Sequence, residues 1–414
     1  MEEIQMNDEK EELKVKIKGK IRDLLAFSKL TSTREKKFKK ASATPIEKDD
    51  IKELSEDLHP KYQYLEIKEI RDNTKSSKTF KLIPNHVLNT RELAYFRAGQ
   101  YLSLKVNVDG HNITRPYTIS SSPSDALEGF YEITIKREED GFLTNYIFKN
   151  WEVGTKITAS DPQGFLYYQP LRDLSNIVGI AGGSGITAFR SIAKDIVENK
   201  YDLQLTILYG CSEEDDILFF EELKELEKKH PEKIKLVIIL SCQEVKLEGC
   251  EQGFITSELI EKHCKPEEST FFICGPQAMY DFVDKEIEKL GIAHDKVRKE
   301  VYGEVKNIAE IPAFPKNEVG KTYKIKVQMG NLVKEIPANS TDSILVSLEK
   351  AKLAPPSSCR SGECGYCRSI LVSGNIFVNP KSDGRREADK LFNSFHPCSS
   401  YPISNIEIVV PRKK

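Results

Sequence analysis

The sequence lacks the features that would point to a membrane, a secretion route or a polyanionic partner. No run of eighteen apolar residues occurs, and the acidic N-terminus has no apolar signal core. Neither sign of charge is in large excess, because 62 Lys and Arg stand against 64 Asp and Glu. The nine cysteines are an odd number, which does not suit a disulfide framework. We therefore expect a soluble, cytoplasmic protein with no transmembrane segment and no nucleic-acid partner.

Four of the cysteines are nevertheless grouped near the C-terminus, at Cys359, Cys364, Cys367 and Cys398. The first three have the spacing C-x4-C-x2-C, and thirty residues separate the third from the fourth. This spacing is typical of a [2Fe-2S] cluster, whose irons take soft thiolate ligands. The main alternative is a zinc site, but zinc sites usually use two close cysteine pairs and this chain has only one. We predict that the C-terminal part carries electrons.

The first sixty residues are charged and poor in aromatics. Between residues 10 and 40, twelve Lys or Arg stand against four acids. Apolar residues at helical intervals predict a basic amphipathic helix in part of this segment. The helix is expected either to lie on its own protein or to belong to a disordered arm; the alternatives are a docking surface for an acidic redox partner and a membrane-surface anchor. The apolar positions are Ile17, Ile21, Leu24 and Leu25.

Residues 61–170 contain short β-rich runs separated by turns. Strands at this spacing predict an antiparallel barrel. The runs are 64–70, 78–82, 101–106, 131–136 and 156–159.

Residues 171–305 contain short apolar runs that alternate with helical segments. This alternation predicts a doubly wound parallel α/β sheet. The runs are 177–181, 205–209, 235–240 and 271–274. A proline-containing linker is predicted at 306–321, and a third domain at 322–414 with a helix near 344–352.

Two polar motifs lie in the predicted barrel. Arg115, Tyr117 and Thr118 follow a strand and offer a cation for a pyrophosphate, a ring to cover a flat heterocycle and a hydroxyl for a ring nitrogen. Arg and Tyr on a strand are also common surface pairs, so the motif is weak alone. Gly141 opens a turn into a short helix, where free amides and Thr144 are suited to a phosphate. Without this context, Thr144 would be a plain helix cap.

Two glycine-containing turns follow predicted strands of the parallel sheet. The first is 182–187, which differs from the usual dinucleotide fingerprint and from a P-loop. The second is 274–279. Both should lie at the carboxyl edge of the sheet, where amides meet a nucleotide. Two turns that face one crevice predict a nucleotide site more strongly than either turn alone.

These motifs, in this order, resemble the ferredoxin-NADP reductase-like family with a plant-type [2Fe-2S] ferredoxin domain fused behind. The resemblance is to single-chain reductases of oxygenases, desaturases or hybrid-cluster protein. It implies an FAD-binding β-barrel at 61–170, an NAD(P)-binding domain at 171–305 and a β-grasp ferredoxin domain at 322–414, behind a charged extension at 1–60.

The resemblance also implies roles for individual residues. Arg115 would contact the flavin pyrophosphate, Tyr117 would pack on the isoalloxazine, and Thr118 would lie near N5, although serine is commoner there. A Glu-x-aromatic signature would place Glu300 and Tyr302 beside the flavin, unless these residues are an ordinary strand end. The catalytic set is Thr118, Cys274 and Glu300. The remaining cofactor-binding residues are Pro116, Ile133, Gly141, Leu143, Thr144, Gly182, Gly183, Gly185, Ile186, Thr187, Gly275, Pro276 and Met279.

The loop after the second strand of the predicted parallel sheet bears on coenzyme choice. NADP requires cations near its 2′-phosphate, usually in this place. Here four acids occupy 213–216. We predict that they repel a phosphate and favour NADH, with NADPH possible; the alternative is that the acids form a solvated loop.

The resulting hypothesis is an NADH-dependent reductase. It would pass electrons through FAD to the [2Fe-2S] cluster and on to an external redox protein whose identity the sequence does not give. One alternative is an electron-transfer subunit permanently bound to a catalytic partner. A further alternative is a redox sensor.

Overall fold

The protein was analysed as a computed structural model, in which two compact units are found, Met1–Leu54 and Ser55–Lys414. The structure describes residues 21–41, 50–139, 141–241, 247–305 and 307–411.

The first unit contains the long helix α1 (Ile21–Lys40), whose last turn is rich in lysine. A short helix, α2 (Asp50–Leu58), begins in it. The predicted basic helix is thus present from Ile21 onward, whereas Ile17 lies outside the described residues. None of the helices in the described ranges is long and apolar enough to cross a membrane.

The second unit begins with a six-stranded antiparallel barrel. Its strands are β1 (Tyr62–Thr74), β2 (Ser77–Pro84), β3 (Tyr101–Val108), β4 (His111–Thr118), β5 (Tyr131–Lys136) and β6 (Lys156–Ser160), in the order β4-β3-β6-β1-β2-β5. Alternate side chains of β1 point inward, so Leu65 and Ile67 are fully buried. An isolated bridge between Ile119, which follows β4, and Ile133 of β5 links the two outermost strands and closes the barrel. The connections carry helices α3 (Pro123–Leu127) and α4 (Phe142–Asn150).

A parallel sheet follows in the chain. Its strands are β7 (Asn176–Gly182), β8 (Gln204–Cys211), β9 (Ile234–Leu240), β10 (Glu251–Gln252), β11 (Ser269–Cys274) and β12 (Val297–Glu300), and its helices are α5 (Ile186–Glu198), α6 (Phe220–Lys229), α7 (Ser257–His263) and α8 (Gln277–Lys289). The strand order is β10-β9-β8-β7-β11-β12. The order reverses between β7 and β11, and a sheet of this kind opens its binding crevice at such a reversal. The doubly wound sheet is confirmed.

Helix α5 fixes the parallel sheet to the barrel. The guanidinium of Arg190 donates to the carbonyl of Ser120 at 2.8 Å and to the Glu132 carboxylate at 2.7 Å. The Ser191 hydroxyl donates to the carbonyl of Ser121 at 2.6 Å. These bonds join α5, which follows β7, to β5 and to the segment just after β4.

The C-terminal part is a β-grasp domain, in which a helix packs on a mixed sheet. Its elements are β13 (Thr322–Met329), β14 (Leu332–Asn339), α9 (Ile344–Lys350), β15 (Ser369–Ser373), β16 (Ile376–Val378), α10 (Glu387–Leu391), β17 (Ser394–Phe395), β18 (Ser400–Pro402) and β19 (Ile406–Val409). The main sheet has the order β14-β13-β19-β15-β17, and β16 pairs with β18. Ile344 and Leu348 of α9 are fully buried against this sheet. The cluster loop, residues 359–367, lies between α9 and β15.

Candidate active site

The turns that follow β7 and β11 meet in one crevice, as predicted. A Cβ on Gly185 would lie 2.0 Å from the carbonyl oxygen of Cys274, and a Cβ on Gly182 would lie 2.6 Å from the Met279 sulfur. Glycine at both positions therefore lets the two turns touch.

Two other predicted nucleotide contacts have buried side chains. Ile186 is fully buried, and the Thr187 hydroxyl donates to the carbonyl of Ser184 at 2.9 Å. Both residues therefore offer mainly their backbone to a nucleotide. On the other turn, Pro276 precedes α8, and a Cβ on Gly275 would lie 2.4 Å from the terminal methyl of Met279.

The three predicted catalytic residues surround the ring of Tyr302. The Thr118 hydroxyl donates to the Tyr302 hydroxyl at 3.2 Å. Cys274 and Glu300 are paired neighbours on β11 and β12. The hydroxyl of Tyr280 accepts a hydrogen bond from the amide of Gly275 at 3.1 Å and donates one to the carbonyl of Glu300 at 2.5 Å. Residues far apart in sequence therefore converge between the barrel and the sheet.

Glu300 has a carboxyl group that is poorly solvated. Its Oε2 is buried without a hydrogen-bond partner, and a Cβ on Gly164 would lie 2.4 Å from Oε1. Burial raises the pKa of Glu300 well above its usual range. The pKa of the Cys274 thiol is also raised, first by burial and then by Glu300. Burial therefore favours the protonated carboxyl group of Glu300 and the thiol form of Cys274.

The raised pKa of Glu300 gives a test. The folded protein keeps this proton where the unfolded chain has lost it, so the contribution of Glu300 to stability is present at low pH and is lost as pH rises. Glu300→Gln does not titrate. As pH rises, the free energy of unfolding of this variant should therefore increase relative to that of the wild type, by up to about 1.4 kcal/mol per pH unit. Urea denaturation of the flavin-free proteins at about pH 5 and about pH 8 measures this; equal pH dependence would contradict a neutral Glu300.

The motif at the end of β4 is closely packed. The Arg115 guanidinium donates to the carbonyl of Thr114 at 3.0 Å and lies 3.9 Å from the Glu349 carboxylate. Burial lowers the pKa of Arg115, and the nearby Arg360 lowers it further. Pro116 is buried, and Tyr117 is half-buried against the barrel core. The flavin contacts of these residues stay predictions.

Three further predicted flavin contacts occupy the barrel itself. Ile133 and Leu143 have side chains in its core, so only their backbone is available to a ligand. The hydroxyl of Thr144, in the first turn of α4, accepts a hydrogen bond from the amide of Glu138 at 3.2 Å and donates one to the carbonyl of Gly141 at 3.4 Å. Its hydroxyl closes this turn, and the phosphate contact stays a prediction.

The cluster loop arranges its sulfurs in two pairs. The Cys367 and Cys398 sulfurs are 3.4 Å apart. Cys359 is paired with Cys364, and its sulfur receives the amides of Ser361 and Cys364, each at 3.5 Å. A hydrogen bond with the Cys364 thiol is the main cause that lowers the pKa of Cys359 to about 5.

This donor set fits a [2Fe-2S] cluster. Two irons that each take two thiolates match two sulfur pairs, whereas a structural zinc ion needs four donors around one centre. A Cβ on Gly362 would lie 2.0 Å from the carbonyl oxygen of Ser382, so only glycine allows this loop path.

Contacts that the sequence analysis missed join the cluster loop to the site around Tyr302. The rings of Tyr101 and Tyr302 form an edge-to-face pair at 5.3 Å. The Ser358 hydroxyl donates to the side-chain oxygen of Gln163, the bridge partner of Tyr101, and lies 2.9 Å from the hydroxyl of Ser103. Ser358 immediately precedes Cys359. No local pattern marks Tyr101, because its role depends on residues more than 200 positions away.

The acidic loop after β8 is mostly occupied by contacts. Asp216 accepts hydrogen bonds from the ammonium of Lys136 at 2.7 Å and from the hydroxyl of Ser76 at 3.0 Å. Lys75 lies 3.2 Å from Asp215. The Glu214 carboxylate accepts a backbone amide of a later loop at 2.9 Å. Much of the acidic charge is therefore neutralised by the barrel.

Comparison with protein families matches three segments in the expected order. They are an oxidoreductase FAD-binding domain at 65–168, an oxidoreductase NAD-binding domain at 180–285 and a 2Fe-2S iron-sulfur cluster binding domain at 331–402.

Similar proteins match most or part of this chain. The ferredoxin reductase component of a 3-ketosteroid-9-alpha-monooxygenase from Mycolicibacterium smegmatis is 24% identical, over 82% of this chain and 94% of its own length. An NADH-cytochrome b5 reductase 1 from Dictyostelium discoideum is 33% identical, over 48% of this chain and 68% of its own. The solved structure of phthalate dioxygenase reductase, at 22% identity, has a TM-score of 0.61 and covers 85% of this chain and 98% of its own; this likeness supports the fold.

The fold, the site and the three matched domains define an NAD(P)H-dependent oxidoreductase that uses FAD and a [2Fe-2S] cluster. The chain belongs to the ferredoxin-NADP reductase-like family, with a [2Fe-2S] ferredoxin domain at its C-terminal end. The predicted family, fold class and cofactors are thus confirmed.

Proposed function

We propose that this chain accepts hydride from NADH and delivers single electrons, through its cluster, to an external redox protein of an oxygenase. The observation that carries this proposal is the contact between the two redox sites. Thr118 bonds to Tyr302, Tyr302 packs on Tyr101, and Gln163, the bridge partner of Tyr101, accepts a hydrogen bond from Ser358 beside Cys359. A series of contacts thus links residues that would face the flavin to the residue before a cluster ligand.

The side chains of the site bind and orient rather than act as strong acids or bases. Bound FAD converts the two-electron hydride of a nicotinamide into the single electrons that a [2Fe-2S] cluster takes. Thr118 would offer the bound flavin a hydroxyl, and Glu300 a carboxyl group whose protonated form burial favours.

The external acceptor is inferred from relatives and from the cluster's exposed edge. Similar proteins include a glycine betaine monooxygenase reductase subunit from Chromohalobacter salexigens, 25% identical over 76% of this chain and 88% of its own. In this chain Cys364 is exposed, whereas Cys359, Cys367 and Cys398 are buried. An electron therefore has its shortest route to a partner at Cys364.

The coenzyme preference is proposed on the loop after β8. Glu213 is exposed directly beyond the strand end, and no Lys or Arg occurs in 210–216. A 2′-phosphate needs a cation near this place. NADH should therefore be preferred over NADPH, although three of the four acids have other partners.

The isolated chain tests both points. It should contain flavin and two irons per chain, and it should reduce cytochrome c with a kcat/KM for NADH at least about tenfold above that for NADPH, or about 1.4 kcal/mol. An NADPH advantage would reverse the coenzyme assignment. Activity only within a large stable complex would favour a permanent subunit, and a cluster that NADH reduces but no protein reoxidises would favour a sensor.

A further inference from the structure

Arg360 is a buried cation inside the cluster loop. It follows Cys359, and its side chain is 1% exposed. Its backbone has a φ of 62°, in the left-handed region that a residue with a Cβ seldom occupies. Such a conformation persists only where surrounding contacts hold it.

Two carboxylates and a second arginine surround this guanidinium. Nη1 and Nη2 of Arg360 donate to the two carboxylate oxygens of Glu349, at 2.6 and 2.9 Å, in the bidentate arrangement that arginine favours. Nη2 also donates to Oε1 of Glu304 at 2.6 Å. Arg115 lies 3.9 Å from Oε2 of Glu349. We call Arg115, Glu304, Glu349 and Arg360 the charge quartet.

The charge quartet joins four separate segments. Arg115 comes from β4 of the barrel, Glu304 from the segment after β12, Glu349 from α9 and Arg360 from the cluster loop. Removing one member of a buried ion pair leaves an uncompensated charge, which is strongly unfavourable. Glu349 and Arg360 both belong to the ferredoxin domain, so the contacts that tie this domain to the rest of the chain are those of Arg360 with Glu304 and with the Thr114 carbonyl, and that of Arg115 with Glu349.

Two nearby contacts to backbone carbonyls also hold the ferredoxin domain to other parts of the chain. The amide of Gly303 donates to the carbonyl of Cys359 at 3.3 Å. Nδ1 of His111, on β4, lies 3.0 Å from the carbonyl oxygen of Glu349. Cys359 is thus held to the segment that supplies Glu304, and α9 is held to the strand that supplies Arg115.

We propose that Arg360 is a positioning residue that, through Glu304 and Glu349, fixes the cluster loop against the flavin barrel and so sets the rate of internal electron transfer. This inference rests on the proposed function. In each event the flavin loses one electron and the cluster gains it. No bond forms at the charge quartet, and the quartet takes up no proton.

The charge balance of the quartet predicts a second effect. Two cations and two anions cancel, so the intact quartet adds little net charge beside the cluster. Loss of Arg360 would leave an excess anion, which opposes entry of an electron and lowers the midpoint potential of the cluster. Loss of the Glu304 carboxylate would leave an excess cation and raise it.

The test uses the full chain with both cofactors. Arg360→Met and Glu304→Gln should each slow transfer from flavin to cluster by at least about tenfold in stopped-flow experiments, because a small misplacement of redox groups has a large effect on rate. Reduction of flavin by NADH should keep the wild-type rate. Redox titration should shift the midpoint potential of the cluster downward for Arg360→Met and upward for Glu304→Gln. Arg368→Met is the matched control, since this arginine adjoins Cys367 but is 46% exposed and pairs with Asp389.

Wild-type transfer rates in Arg360→Met and Glu304→Gln, with two irons retained, would overturn the inference. If Arg360→Met loses its cluster, the conservative Glu304→Gln decides alone. An equal loss in Arg368→Met would show that any change near the loop slows transfer, which also overturns the inference. If the wild type itself does not pass electrons from flavin to cluster, the proposed function fails, and this outcome is distinct from the variant results.

Discussion

Replacing Cys364 by serine is expected to abolish electron delivery to one-electron protein acceptors and to spare reduction of FAD by NADH. Cys364 is paired with Cys359 and is the exposed member of the set. A serine oxygen is a hard ligand where the cluster needs a soft thiolate. Cytochrome c reduction should fall by at least about 100-fold, since loss of even an outer-shell partner of a metal site can cost that much. The site proposed for hydride transfer lies around Tyr302 and contains no thiol of the cluster loop.

Stopped-flow flavin reduction and steady-state cytochrome c reduction separate these two steps. Cys250→Ser is the matched control, because Cys250 is partly buried in the parallel-sheet domain, away from the cluster loop. It should retain both activities and two irons per chain. Unchanged cytochrome c reduction in Cys364→Ser would refute the assignment of Cys364 as a cluster ligand and as the exit point.

The [2Fe-2S] cluster was predictable because most of the pattern that indicates it is local. Three cysteines lie within nine residues, and a loop of that length has few ways to surround a metal cluster. Gly362 adds a second local sign, since the space of a Cβ is occupied by the carbonyl oxygen of Ser382. The same holds for the turns after β7 and β11, where a buried apolar run passes directly into glycine.

Other parts of the site were not predictable, because they depend on long-range packing. The contact between Arg360 and the carbonyl of Thr114 spans 246 positions. A cysteine loop that contains an arginine gives no sign of which carboxylates will neutralise it. Tyr101 opens an ordinary strand, and only the docked ferredoxin domain makes it a neighbour of Ser358. The sequence gives the charge of the acids after β8 but not their partners, and Asp216 forms an ion pair with Lys136 of the barrel.

The flavin contacts inferred by resemblance also depend on packing that the sequence does not show. Ile133 and Leu143 hold the positions expected of flavin neighbours along the chain, yet their side chains are in the barrel core. A motif gives the place of a residue in the sequence but not the direction of its side chain. Alternation along β5 does not settle the direction either, since five successive residues of that strand are buried.

Replacing Gly185 by alanine is expected to stop reduction of FAD by NADH. The backbone of Gly185 has a φ of −60°, which any residue adopts. The obstacle is steric, because its Cβ would lie 2.0 Å from the carbonyl oxygen of Cys274 and 2.5 Å from the carbonyl carbon. The turn after β11 must move to make room, and it carries the residues predicted to face the nicotinamide. A displacement of about 1 Å in such a site can cost about 100-fold in rate.

The matched control is Gly210→Ala, at the carboxyl end of the neighbouring strand β8. Its Cβ would lie 3.6 Å from both the carbonyl oxygen of Ala181 and the side chain of Ile255, which is ordinary contact. Stopped-flow reduction by NADH should therefore be lost in Gly185→Ala and kept in Gly210→Ala. Dithionite should still reduce both flavin and cluster in Gly185→Ala, because the barrel and the ferredoxin domain are unchanged. A wild-type rate with NADH in Gly185→Ala would mean that the two turns do not form the nicotinamide site, and the crevice would then have to be assigned to another ligand.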